Sequence, residues 1–179
     1  MRNEPVKTIE VGNKVVEIYP DIDPESPRGD CNLGKMVCWH SRYTLGDKHD
    51  YESPQDFQAE WDASKAVILP LYLYDHGGLT ISTGAFSCPW DSGQVGYVYV
   101  SHEDIAKEYG KCNAFTIEKA RKLLIAEVET YDAYLRGDIY GYVVKVKCEK
   151  CGGFEETEDS CWGYYGIEEA IKAGMEVAK

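Results

Sequence analysis

Apolar and polar residues alternate from Thr8 to Tyr19, TIEVGNKVVEIY, on either side of Gly12-Asn13. Every second side chain of a strand shares a face and glycine eases a tight turn, so this stretch predicts a β-hairpin. The next segment, PDIDPESPRGDCNLG, carries three prolines and turn-forming acids and predicts a loop before a short strand from Lys35 to His40. Ser53-Pro54 supplies an N-cap and a first helical residue, and Phe57 and Trp61 then share one face of an acidic helix ending near Ala63. AVILPLYLY, LTIST and VGYVYV follow as three β-rich runs in an antiparallel pattern, separated by Asp75-His76-Gly77-Gly78 and by CPWDSG. Pro70 predicts an edge or a bulge in the first run.

Ser101 reads as the cap of a short helix to Gly110, and Thr116 as the cap of a longer one from Ile117 to Arg136. Ile117, Ala120, Leu124, Val128, Tyr131 and Leu135 form its apolar stripe. DIYGYVVKVKCEK predicts another strand, Gly152 to Tyr165 a second short hairpin, and Ile167 to Val177 a closing helix. Strands grouped around helices, without regular β-α alternation, indicate α+β: a mostly antiparallel sheet packed with three or four helices. One domain over residues 1–179 is expected, with a cysteine knuckle hairpin at 146–165.

Charge narrows the function classes. With 31 acidic against 19 basic side chains the formal net charge is -12, which disfavours direct DNA binding through a broad basic face. The acids concentrate in two segments, Asp47 to Asp62 and Glu149 to Glu169. One reading is a solvated, self-repelling surface that favours solubility; the other is a surface shaped to meet a basic partner. In the second reading the candidate contacts are Asp56 and Glu60, on one predicted helix face, and Glu155 and Glu156. No run of about 18 apolar residues occurs and the N-terminus lacks an apolar h-region, so neither a membrane span nor a secretory signal is expected, and the expected location is cytoplasmic. Seven cysteines without secretory context argue against a disulfide framework.

Two groups could carry chemistry. Cys88 and His76 are of the types needed for a nucleophile and its base, with Asp75 or Asp91 to orient the imidazole, as in a small hydrolase or transferase. The alternative is architectural: SCPWDSG as a turn in which Trp90 covers the chain and Asp91 and Ser92 bond backbone amides, and DHGG as a tight turn capped by Asp75. A pocket between Asp75 and Asp91 that holds a small ligand is a third reading. CEKCGG, Cys148 to Gly153, has the spacing of a zinc-ribbon knuckle, and Cys161 lies ten residues beyond Cys151. A complete site would be structural zinc; the alternative is a hairpin with free thiols. Cys31, Cys38, His40 or His49 could contribute only if the fold brings them near. No H-E-x-x-H, P-loop or GxGxxG pattern occurs. The fourteen tyrosines, concentrated in YLY, YVY, YGY and GYY, either pack a sheet or form an aromatic binding face.

MVCWHSRYTLGDKHDY, LPLYLYDHGGLTISTGAFSCPWDSGQVGYVYV and SCWGYYG together resemble a family of small proteins encoded by phages and mobile elements of gut Firmicutes. The likeness extends from Lys35 to Gly166. The family is linked to a metagenomic anti-CRISPR inhibitor of the RNA-guided DNA nuclease of type II systems. The resemblance therefore implies a non-catalytic anti-defence protein whose partner is a guide-RNA-loaded type II nuclease, a basic nucleic-acid-binding protein. It brings no catalytic signature, so no functional residue is carried over from it. An acidic protein suits such a target, because the nuclease holds its heteroduplex in a positively charged channel.

Overall fold

The computed structural model describes residues 4–29, 31–148 and 153–179, with 154–158 as backbone only. Four helices and two four-stranded antiparallel sheets occur among them, an α+β fold with mostly sheet content. The chain divides into two compact units, Met1–Glu25 with Arg136–Lys179, and Ser26–Leu135.

In the first unit, β1 (Lys7–Val11) and β2 (Lys14–Pro20) form the hairpin expected from the alternation. Gly12 turns it with φ +62, a region that costs glycine little. The sheet continues through β7 (Ile139–Lys147) to β8 (Phe154–Tyr165), in the order β1-β2-β7-β8. Val16 and Ile18 of β2 face Val144 and Tyr142 of β7 across the ladder. This apolar face packs on α4 (Ile167–Ala178) through Ala170, Ile171 and Ala178. The hairpin expected within Gly152 to Tyr165 is instead one long strand, β8, folded back on β7. Turn residues at both ends of that run mimic a hairpin in sequence, whereas the pairing partner lies upstream of the knuckle.

The second unit holds the sheet β3-β6-β4-β5, formed by β3 (Lys35–Cys38), β4 (Ala66–Asp75), β5 (Leu79–Ser82) and β6 (Ser92–Ser101). β5 pairs only with Tyr72 to Asp75, so Pro70 sits where β4 has a partner strand on one side. The register slips nearby, between Leu71 and Tyr72, as the proline predicts. Gly96 of β6 is pressed against β3: a Cβ there would stand 2.0 Å from the Val37 carbonyl oxygen.

Helices cover both faces of this sheet. α3 (Ala114–Leu135) buries Ala120, Leu124, Val128 and Tyr131 against Leu71, Leu73, Ile81, Val95 and Val98. Its cap is Asn113, not Thr116: the Asn113 side chain accepts from the backbone N–H of Phe115 and Thr116, and the Thr116 hydroxyl accepts in return from Asn113 N–H. α2 (His102–Tyr109) starts at Ser101 and ends at Gly110, as expected. On the opposite face α1 (Pro54–Glu60) inserts Phe57 among Val37, Ala66 and Tyr99, with Trp39, Tyr51, Trp61 and Tyr97 around it. Trp61 Nε1–H donates to the Tyr51 hydroxyl at 2.8 Å, so the indole satisfies its polar edge while packing.

Arg28 fixes the loop that leads into β3. It lies within a short 3-10 turn at Pro27–Gly29, and its side chain is only 6% exposed. Nε and Nη2 donate to Asp47 at 2.9 and 2.7 Å, and Nη2 also reaches the Gly34 carbonyl at 2.7 Å. Glu127 of α3 approaches Nη1 at 3.6 Å and accepts the backbone N–H of Leu33 and Gly34. Burial pushes the Glu127 carboxyl above its ordinary value, although those two amides and Arg28 oppose the shift.

Candidate functional site

The stretch from Asp75 to Ser92 connects the ends of β4, β5 and β6. Gly77, at φ +74, makes the β4–β5 turn that DHGG predicts. Asp75 N–H donates to the Asp91 carbonyl at 2.9 Å and Ser92 Oγ to the Cys88 carbonyl at 2.5 Å, so the CPWDS turn is tied to both strands. The Asp91 carboxylate then sits between the two residues of the catalytic reading. His76 Nδ1–H donates to Asp91 Oδ2 at 3.1 Å, and the Cys88 thiol lies 3.8 Å from the same oxygen.

That order matters chemically. A cysteine nucleophile needs its base against the sulfur, with the carboxylate on the far side of the imidazole. Here no hydrogen bond joins Cys88 to His76, and a thiolate would face a carboxylate rather than an imidazolium. The turn also departs from its expected details. Trp90 is 91% exposed and does not cover the chain. Asp91 bonds side chains and Ser92 a carbonyl, where backbone amides were expected. Asp75 does not cap its turn with its carboxylate, which accepts from Arg42 Nη2 at 2.5 Å and the Tyr43 hydroxyl at 3.2 Å.

Arg42 and Tyr43 are residues that sequence reasoning missed, and His40 is singled out there only as a possible metal ligand. They come from the loop after β3, and His40 Nδ1 accepts the N–H of Arg42 and Tyr43 at 3.2 and 3.3 Å while its ring stacks on Tyr43. Their aromatic and basic types in a loop were the one signal, since no motif spacing connects them to Asp75. With Trp39, Asp75, Trp90 and Asp91, the residues His40 and Arg42 line a concavity of about 450 Å³. An adjoining concavity of about 600 Å³ is lined by Cys38, His40, Thr44, Lys48 and His49 among others. His49 Nε2–H donates to the Cys38 carbonyl at 3.1 Å, and burial pushes the Cys38 thiol up to about 12. Although Cys38, His40 and His49 share this cavity, no group of three metal-type ligands arranged to hold an ion occurs among the described residues.

Of the cysteine knuckle, Cys151 lies outside the described residues. Cys148 N–H donates to the Gly153 carbonyl at 2.6 Å at the turn between β7 and β8. Cys161 pairs opposite Tyr142, six positions back along β7 from Cys148. At the usual rise of a strand that is roughly 20 Å, too far for two thiolates of one zinc ion.

The proposed partner contacts also separate. Asp56 is spent on α1 itself: its carboxylate accepts from Ser53 N–H at 2.9 Å and Ser53 Oγ at 2.8 Å in a capping box. Asp47 is held by Arg28, and Asp62 accepts from Ser64. Asp50, Glu52 and Glu60 are exposed, and their carboxylates have no hydrogen bond or ion pair among the described residues. Glu155 and Glu156 stand opposite Val146 and Lys145 in the β7–β8 ladder, and their side chains lie outside what is described.

Comparisons with protein-family models, curated proteins and solved structures gave no match. No helix among the described residues is long and apolar enough to cross a membrane.

Proposed function

We propose that the protein is a non-catalytic anti-defence protein that binds a basic nucleic-acid enzyme and blocks its DNA engagement or cleavage. The guide-RNA-loaded type II CRISPR nuclease to which the resemblance points is the first target to test. The observation that carries this reading is the division of labour among the acids of the Asp47 to Asp62 segment. The carboxylates of Asp47, Asp56 and Asp62 bond neighbouring groups of the chain, whereas those of Asp50, Glu52 and Glu60 are exposed without a partner among the described residues. Carboxylates of the second kind can meet Lys and Arg side chains meant for phosphate, and would raise the association rate by charge complementarity. The position of Asp91 between Cys88 and His76 supports binding over cysteine-dependent catalysis. Such a partner would place the protein in the cytoplasm of the bacterial host.

The test is binding to a guide-loaded type II nuclease, with DNA cleavage followed across protein-to-nuclease ratios. Stoichiometric loss of cleavage, weakened by salt, is expected. Absence of binding removes the proposal, and loss of cleavage at sub-stoichiometric protein returns the Cys88 and His76 enzyme to first place.

A further inference from the structure

We propose that the concavity beside Trp90 is a seat for an arginine side chain of a partner protein, with the guanidinium stacked on the Trp90 indole and bonded to Asp75 and Asp91. The inference rests on reading the protein as a binder of a basic partner.

Large apolar rings are normally the first groups a turn buries, yet the Trp90 indole is 91% exposed. The turn beneath it is nevertheless anchored, through the Asp75 to Asp91 backbone bond and the Ser92 to Cys88 bond. The ring is thus presented on a tied support, the condition under which an aromatic anchor loses least entropy on binding.

The cavity of about 450 Å³ at its foot carries two carboxylates, Asp75 and Asp91, against one guanidinium, Arg42. With His40 and His76 counted as neutral it is one positive charge short, which favours a cation over an anion. Among the described residues all the side-chain bonds of these carboxylates use Oδ2, to Arg42, Tyr43, His76 and Cys88, and Oδ1 of each carries none. Two carboxylates that line one concavity with a flat π-face suit the planar, many-donor guanidinium better than the point charge of an ammonium. The rim already contains one example of the arrangement. Arg42, 66% exposed, bonds Asp75 while its guanidinium carbon lies 5.3 Å from the centre of the Tyr43 ring.

The seat is tested with a probe that needs no partner. N-acetyl-arginine amide is titrated into the full chain while the indole N–H resonances are followed, with N-acetyl-citrulline amide as the uncharged isostere. The resonance that disappears in Trp90→Ala should shift with the arginine amide in the millimolar range and stay still with the citrulline amide. Asp91→Asn should weaken the arginine response by about threefold or more if it loses one charged contact. Equal shifts with both amides, no shift, or an unchanged response in Asp91→Asn would each overturn the seat. The guide-loaded nuclease then separates the two levels of inference. Failure of the wild type to bind removes the proposed function and leaves the amide titration to judge the seat. If the wild type binds, Trp90→Ala at unchanged melting temperature should bind about tenfold more weakly, as the loss of an aromatic anchor does. Equal affinity of the two would overturn the seat as a partner contact.

Discussion

Arg28 and Asp47 are joined by two parallel hydrogen bonds, Nε to Oδ1 and Nη2 to Oδ2, with the guanidinium almost wholly withdrawn from solvent. The same carboxylate takes the Met36 N–H at 2.8 Å, so the pair sets where β3 begins. Arg28→Met removes the cation that faces both Asp47 and Glu127. It should cost about 3–5 kcal/mol, the usual penalty for leaving buried charges without their partner. Urea denaturation measures it, and adding Asp47→Asn and Glu127→Gln to the same chain should recover part of the loss. A cost of only a few tenths would mean that the network is solvated.

Thiol reactivity should follow burial. Cys31 and Cys161 are exposed, whereas the Cys38 thiol is pushed up to about 12 by burial and by the Asp47 charge. Iodoacetamide at neutral pH, read by peptide mass spectrometry, should label Cys31 and Cys161 well before Cys38, because the thiolate is the reacting species. Early labelling of Cys38 would contradict the packing of β3.

The start of α2 should be sensitive to acid. Asp104 lies below its ordinary value of 3.8, chiefly because the Ser101 hydroxyl donates to it at 2.6 Å, with Lys107 adding to the shift against some desolvation. A carboxyl lowered in the folded state contributes stability that is fully present above 3.8 and lost as pH falls through the lower folded value. Carboxyl NMR titration should place Asp104 below 3.8 in the wild type and higher in Ser101→Ala. The substitution also removes the helix cap, worth about 1 kcal/mol. An unmoved Asp104 would show that the Ser101 bond does not set it.

Local features of the sequence were legible where one residue type has one physical use. The Gly12-Asn13 hairpin, the Ser53-Pro54 helix start and the bulge near Pro70 all follow from short-range rules, whereas α1 ends at Glu60 rather than near Ala63 and leaves Trp61 as its extended C-cap. The distribution of the strands over two sheets was not legible, because β2 pairs with β7 across more than a hundred intervening residues and alternation does not name a partner. Thr116 suits a cap by residue type, but Asn113, three residues earlier, fills that role and uses Thr116 as its reciprocal partner. At the candidate site, Asp75, His76, Cys88 and Asp91 were found as residues but not in their order. Which side of Asp91 faces Cys88 depends on the turn, and Arg42 reaches Asp75 from a different loop.

The acids of α1 give the sharpest check on the binding surface, because neighbouring carboxylates have different jobs. Asp56→Lys would break the Ser53 capping box as well as reverse a charge, so reduced binding could reflect a frayed helix costing about 0.5–2 kcal/mol. Glu60 is exposed, its carboxylate makes no such bond among the described residues, and its carbonyl accepts from Lys65 Nζ at 2.7 Å. Glu60→Lys should therefore leave the melting temperature within about one degree or two, as surface substitutions away from special features do. It should slow association with the guide-loaded nuclease while changing dissociation little, because a solvated rim charge acts on encounter. The difference from wild type should shrink as salt shortens the screening length to about 8 Å at physiological strength and less above it. Glu60→Gln, which removes the charge without reversing it, should fall between the two. Stopped-flow association rates at several salt concentrations decide the matter: equal rates for all three proteins at the lowest salt would exclude this face of α1 from the interface.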